Sequence, residues 1–122
     1  MATEVLIVIP TLGQRLDYLR QTLESIRNQK VEADITVVTP ASALAARALA
    51  HDLNAKVIDD PGSLPAAINV GAEHAEPHHR FINWIGDDDL LTPGSLQTTQ
   101  AALDADSGSV LAYGACEYID AQ

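Results

Sequence analysis

The sequence predicts an α/β domain, built on a mostly parallel open sheet with helices on both faces. Three observations carry this. Short apolar runs alternate with helical patterns along all 122 residues. The helical patterns between runs are about ten to fifteen residues long, the length of a crossover between parallel strands. Acids and turn formers collect just after the runs, at the carboxyl ends of the strands, where such sheets bind ligands.

Taken in order, Glu4 to Ile9 is a continuous aliphatic run ended by Pro10, which reads as a first strand. Arg15 to Gln29 places Leu16, Leu19, Leu23 and Ile26 at helical spacing on one face. Ile35 to Thr39 is a second strand, stopped by Pro40. An alanine-rich helix is expected over Ser42 to Leu53, with Ser42 as its N-cap. Val57 and Ile58 form a short third strand before the turn sequence Asp59-Asp60-Pro61-Gly62. Ser63 is expected to cap a helix to about Ala75, with Pro65 tolerated in its first turn. Phe81 to Ile85 reads as a buried, central fourth strand that ends at Gly86-Asp87-Asp88-Asp89. Ser95 to Asp104 is a fourth helix after Pro93-Gly94, and Val110 to Tyr113 begins a fifth strand. Right-handed crossovers distribute the helices over both faces. No repeat, low-complexity stretch or linker divides the chain, so residues 1–122 are read as one domain.

The composition narrows the partners. Seventeen acids against seven bases give a net charge of −10, and Lys30 and Lys56 are the only lysines. Such a surface repels nucleic-acid backbones and anionic membranes. A phosphate-bearing ligand remains compatible where a metal cation bridges it to the acids. Cys116 is the only cysteine, which excludes an intrachain disulfide and a Cys-rich zinc site. The N-terminus lacks the pattern of a signal peptide, and no stretch approaches the roughly 20 apolar residues of a membrane span. The expectation is a soluble, cytoplasmic protein.

Asp87, Asp88 and Asp89 carry the sharpest chemistry. Three adjacent carboxylates repel one another unless a cation or solvent offsets their charge. Hard cations such as Mn²⁺ or Mg²⁺ prefer carboxylate oxygens and bridge readily to a diphosphate. The competing reading is a solvated acidic turn in which Asp89 or Thr92 helps to start the next helix. Placement at a strand's carboxyl end favours the metal.

Other loops at the same edge carry two readings each. Pro10-Thr11-Leu12-Gly13 either receives a base or ribose or is an ordinary strand-to-helix turn. Arg15 either faces a phosphate or is solvated at its helix start. Asp59-Asp60 either accepts hydrogen bonds from a base or ribose or merely forms the turn. Asn69 and Gly71 are poor helix formers within the third helical pattern. Asn69 either bonds a neighbouring loop or is structural, and Gly71 permits close packing. His78-His79 is expected in a mobile surface loop, and Trp84 in the core.

These segments together resemble the N-terminal half of family-2 glycosyltransferases, which have the Rossmann-like GT-A fold. The resemblance rests on residues 5–11, VLIVIPT, on Leu19 to Gln29, and on Leu64-Pro65-Ala66-Ala67-Ile68-Asn69-Val70-Gly71. The strongest match is residues 82–96, INWIGDDDLLTPGSL, similar to the family's Asp-x-Asp region and its Pro-Gly-x-Leu continuation. Val110 to Asp120, with Tyr113-Gly114, resembles the strand that follows. The resemblance implies a nucleotide-sugar donor (UDP-, GDP- or dTDP-sugar), a sugar or glycan acceptor, and Mn²⁺ or Mg²⁺. It implies donor contacts from Pro10, Thr11, Arg15, Asp60, Asn69 and Asp87, and metal contacts from Asp87, Asp88 and Asp89.

The sequence also departs from the family pattern. Thr39-Pro40-Ala41 stands where an aspartate often contacts the base, Ile68 where an arginine is common, and Gly86 where an acid is frequent. The family's acceptor half, with the carboxylate base of its inverting members, lies beyond the matched segments. Asp120 and Glu117 are available acids with nothing to assign them that role. The chain is thus expected to be a truncated nucleotide-sugar-binding domain, inactive alone.

The leading function is sugar transfer with inversion; the alternative is a nucleotide- or metal-binding module without transferase activity. Other α/β enzymes lack their signatures here. There is no Gly-x4-Gly-Lys-Ser/Thr loop and no Gly-x-Gly-x-x-Gly after the first strand. Pro10, rather than an acid, ends that strand, which disfavours aspartyl-phosphate phosphatases and receivers.

Overall fold

A computed structural model describes residues 3–114 together with Cys116 and Ile119. Its strands are β1 (Val5–Pro10), β2 (Ala33–Thr39), β3 (Lys56–Asp59) and β4 (Phe81–Trp84). Its helices are α1 (Leu16–Arg27), α2 (Leu44–Asp52), α3 (Leu64–Glu73) and α4 (Ser95–Ala105). The strands form one parallel sheet in the order β3-β2-β1-β4. The α/β class, parallel sheet and helices on both faces agree with the sequence reading.

β1 lies between two neighbours, and its alternating side chains feed two cores. Val5, Ile7 and Ile9 pack with Leu19, Leu23 and Ile26 of α1, with Ala46, Leu49 and Ala50 of α2, and with Leu96 of α4. Leu6 and Val8 face the other way, against Val38 and against Ala67 and Val70 of α3. That burial on both sides is why β1 reads as an unbroken apolar run. Gly71 explains how α3 comes so close. A Cβ there would lie 2.3 Å from Val8 Cγ1, so only glycine fits.

Four expectations are corrected. β4 is an edge strand of the sheet among the described residues, with Ile82 53% and Trp84 48% exposed, so Trp84 is not a core residue. Val110 to Tyr113 forms no strand; Val110, Leu111 and Tyr113 are exposed and pair with no neighbour in the sheet. Glu117 and Asp120 lie outside the described residues. Ser42 does not cap α2, which starts after Ala43 without a side-chain cap. His79 is not in a loose loop. Its Nδ1 accepts from the Glu76 N–H at 2.9 Å, so Nε2 carries the ring proton and donates to Asp34 at 2.7 Å. That arrangement ties the entry of β4 to the start of β2.

Ser63 does cap α3, accepting from the Ala66 N–H at 3.3 Å, with Pro65 in the first turn.

Candidate functional site

The order β3-β2-β1-β4 has one point at which the chain reverses direction across the sheet, between β1 and β4. α1 and α2 follow β1 and β2 on one face, whereas α3, which leads into β4, lies on the other. The loops after β1 and β3 therefore diverge to opposite faces and leave a crevice at the carboxyl ends of the strands. Thr11 and Arg15 stand on the loop after β1, Asp87 and Asp88 on the loop after β4.

The two loops are bonded to each other. The Thr11 hydroxyl donates to Asp87 Oδ2 at 2.7 Å, and Arg15 Nη2 lies 3.0 Å from Asp87 Oδ1. Arg15 Nη1 reaches Asp88 Oδ2 at 3.2 Å, so one guanidinium spans both carboxylates. Asp87 is 13% exposed and Asp88 46%. The Thr11 hydroxyl also accepts from the Gly13 N–H at 3.0 Å, which shapes the turn into α1. Gly13 has φ +78°, and a Cβ there would meet the Ala43 Cβ at 2.8 Å, so the turn requires glycine on both counts.

Asp89 is placed differently from its neighbours. Its carboxylate turns back to accept from the Gly86 N–H at 3.1 Å, while its own N–H donates to the Gly86 carbonyl at 3.3 Å. It closes the acidic turn upon itself. Gly86 suits this geometry, since a Cβ there would sit 3.0 Å from Asp89 Oδ2.

The stretch that follows is held by three side chains the sequence reading did not single out, two on α1 and one, Gln29, just past its end. Thr22 donates to the Asp89 carbonyl at 2.7 Å, and Ser25 Oγ accepts from the Leu91 N–H at 3.1 Å. Gln29 donates to the Thr92 carbonyl at 2.9 Å and accepts from the Leu96 N–H at 3.2 Å. The signal was present as spacing. Residues 22, 25 and 29 form a polar stripe at helical intervals, beside the apolar stripe of Leu19, Leu23 and Ile26.

A cavity of about 350 Å³ opens at this edge, with Pro10, Thr11, Arg15, Asp60, Ser63 and Asp87 in its wall. Five of the six predicted donor contacts thus share one cavity. Asn69 does not line it; it is exposed on α3, whose first residues reach the cavity in its place. Asp60 is held by two bonds, its N–H to the Thr39 carbonyl at 3.0 Å and its Oδ1 to the Gly62 N–H at 2.8 Å. Arg47 fastens the same corner, donating to the Thr39 and Pro40 carbonyls and to Asp59. The amino ends of α1 and α3 both face the cavity, each with partial positive charge. A cavity with two helix amino ends, one arginine and two carboxylates suits an anion accompanied by a cation. A second cavity, between β4, α4 and residues 110–114, holds none of the predicted site residues.

The fold defines a Rossmann-like α/β domain with a crevice at the carboxyl ends of its parallel strands. The chain belongs to glycosyl transferase family 2, whose profile matches residues 6–120. No curated protein matches the sequence. Among solved structures, residues 1–349 of S. aureus TarS align with TM-score 0.68 and 21% identity, over 84% of this chain and 33% of that one. The same protein in complex with UDP gives TM-score 0.68 and 22% identity, over 84% and 32%. The mannosyltransferase PcManGT from Pyrobaculum calidifontis, in complex with GDP-Man and Mn²⁺, gives TM-score 0.71 and 16% identity, over 84% and 33%. These likenesses establish the GT-A fold. The chain spans about a third of the length of the solved structures it matches. Among the described residues, no helix is long and apolar enough to cross a membrane.

Proposed function

We propose that this chain is the donor-binding part of a glycosyltransferase that takes a nucleotide sugar with Mn²⁺ or Mg²⁺ and transfers the sugar to an acceptor hydroxyl with inversion. The observation that carries the reading is that Thr11, Arg15, Asp60 and Asp87 line one crevice at the carboxyl ends of the strands, with Asp88 paired to the same Arg15. The solved relatives bound to UDP, and to GDP-Man with Mn²⁺, support it by analogy.

The donor set fits a hard divalent cation. Asp87 and Asp88 offer adjacent carboxylates, one mostly buried and fixed by Thr11, the other half exposed. Asp89, turned back on Gly86, is the least available of the three. A bound cation supplies charge neutralisation of the leaving diphosphate. The protein's own part is placement. Asp60 and the backbone after β1 offer hydrogen-bonding groups for a base and ribose, and Arg15 offers a planar donor pair for phosphate oxygens. Sugar transfer also needs a base within hydrogen-bond reach of the acceptor hydroxyl, and no residue of this chain is assigned that role. The fragment alone is therefore proposed to bind donor without turnover.

Thermal unfolding tests the reading, with UDP, GDP and dTDP each combined with Mn²⁺, Mg²⁺ or chelator. A ligand that binds only the folded state raises the midpoint. The expected result is a rise that needs both the metal and one nucleotide and disappears in Asp88→Ala. A nucleotide shift indifferent to metal and to Asp88 refutes the metal site. No shift with any pair refutes donor binding by this chain.

A further inference from the structure

The two carboxylates proposed to hold the cation already have a cationic partner. Arg15 Nη2 and Nη1 lie 3.0 Å and 3.2 Å from oxygens of Asp87 and Asp88. With Thr11 on its other oxygen, Asp87 has both carboxylate oxygens engaged. A metal and a guanidinium compete for the same carboxylate oxygens, and their like charges repel at such short range. Binding of one weakens the hold of the other.

The contact is built so that the arginine can move. Arg15 stands at the N-cap of α1, outside the helix proper, and its side chain is 51% exposed. Among the described residues the guanidinium hydrogen-bonds only the two aspartates, and the Tyr18 ring centre lies 5.7 Å from it. Exposed ion pairs of this kind contribute little and break readily. Arg15 also lines the cavity, so release from the acids leaves it beside the space a ligand would occupy.

We infer that Arg15 is an exchangeable counter-ion. Without ligand it offsets part of the charge of Asp87 and Asp88 and keeps the two loops together. When a divalent cation arrives with a nucleoside diphosphate, Arg15 releases the acids and pairs with the phosphate oxygens. The bonds exchanged are hydrogen bonds and ion pairs only. This rests on the metal and donor reading given above and adds an order of events to it.

The exchange predicts effects of opposite sign from one substitution. In Arg15→Gln the acids lose their resident cation, so Mn²⁺ alone binds more tightly, by roughly three- to tenfold for the loss of two exposed pairs. The same variant lacks the phosphate partner, so the best-bound of UDP, GDP and dTDP at saturating Mn²⁺ binds more weakly, by about tenfold. Arg15→Lys keeps the charge and should bind Mn²⁺ nearly as the parent does. An arginine that merely braced the loops would, on removal, weaken both.

Mn²⁺ binding is read by electron paramagnetic resonance without nucleotide, and nucleotide binding by calorimetry with the metal saturating. Unchanged or weaker Mn²⁺ binding in Arg15→Gln, where Asp88→Ala still abolishes it, overturns the exchange and leaves the metal site standing. Unchanged or tighter nucleotide binding in Arg15→Gln also overturns the exchange. Mn²⁺ binding that is absent, or indifferent to Asp88→Ala, overturns the exchange and the metal reading together.

Discussion

The Thr11 hydroxyl and the Asp87 carboxylate, 76 residues apart in sequence, meet at 2.7 Å and join the loop after β1 to the loop after β4. A mostly buried carboxylate needs such donors, because burial without them leaves charge poorly compensated. Thr11→Val keeps the shape and removes the donor, and it also deprives the Gly13 N–H of its acceptor. The expected loss is about 2 kcal/mol in urea unfolding, typical of a hydrogen bond to a charged group. Thr11→Ser should retain most of that stability. Equal stability of the two variants would show that the bond carries no weight.

Gln29 shows how far the site depends on residues remote from it. Its amide accepts from Leu96 and donates to Thr92, and it is one of the few buried polar side chains. Gln29→Leu leaves both backbone groups without their partner, at an expected cost of about 2–3 kcal/mol. The change is local, so amide exchange over residues 89–96 should accelerate much more than exchange in β1 and β2. Uniform acceleration would mean that the stretch is not held from α1 as a separate unit.

The central part of the fold was legible because its residues answer to one requirement. β1 is apolar because both its faces are covered, β2 is largely so apart from the buried Thr36 and Thr39, and Leu19, Leu23 and Ile26 repeat at helical spacing because α1 covers one of those faces. β4 was misjudged for the complementary reason. Phe81-Ile82-Asn83-Trp84 has the residue types of an inner strand, but residue type does not reveal what lies beyond the sheet's edge, and Trp84 faces outward. Val110 to Tyr113 failed similarly, since strand propensity supplies no neighbour to pair with. At the candidate site, position at the carboxyl end of a strand singled out the aspartates, whereas the loop of Thr11 kept two readings until the family resemblance was added. The stripe of Thr22, Ser25 and Gln29 was not, because polar residues beside an apolar face read as solvated until the loop they hold is seen.

Gly71 sets the distance between α3 and the sheet, and with it the position of α3's amino end at the cavity. Gly71→Ala drives a methyl group into Val8, 2.3 Å from Cγ1 and 3.0 Å from Cγ2. Both atoms belong to a fully buried strand residue that has little room to yield. Overpacking of this kind costs about 1–3 kcal/mol, against a helix-propensity gain below about 1 kcal/mol. Adding Val8→Ala to Gly71→Ala should recover part of the loss, so the double variant loses less than the two singles summed. Strict additivity in chemical denaturation would place the strain elsewhere.

Thr39 offers the opposite case, a substitution expected to stabilise. It ends β2 fully buried, and its hydroxyl has no hydrogen-bond partner among the described residues. The backbone there is satisfied independently, since the Thr39 carbonyl accepts from the Asp60 N–H and from Arg47. Thr39→Val removes the unpaired hydroxyl while keeping the branched shape, which should raise stability by about 1 kcal/mol. For a domain of this size that corresponds to a rise in Tm of roughly 3–6 °C. Because Asp60 is held through the unaltered carbonyl, nucleotide affinity should stay as in the parent. A fall in Tm of similar size would instead show that the hydroxyl is bonded to a buried water, whose removal leaves the corner beneath Gly13 less well filled.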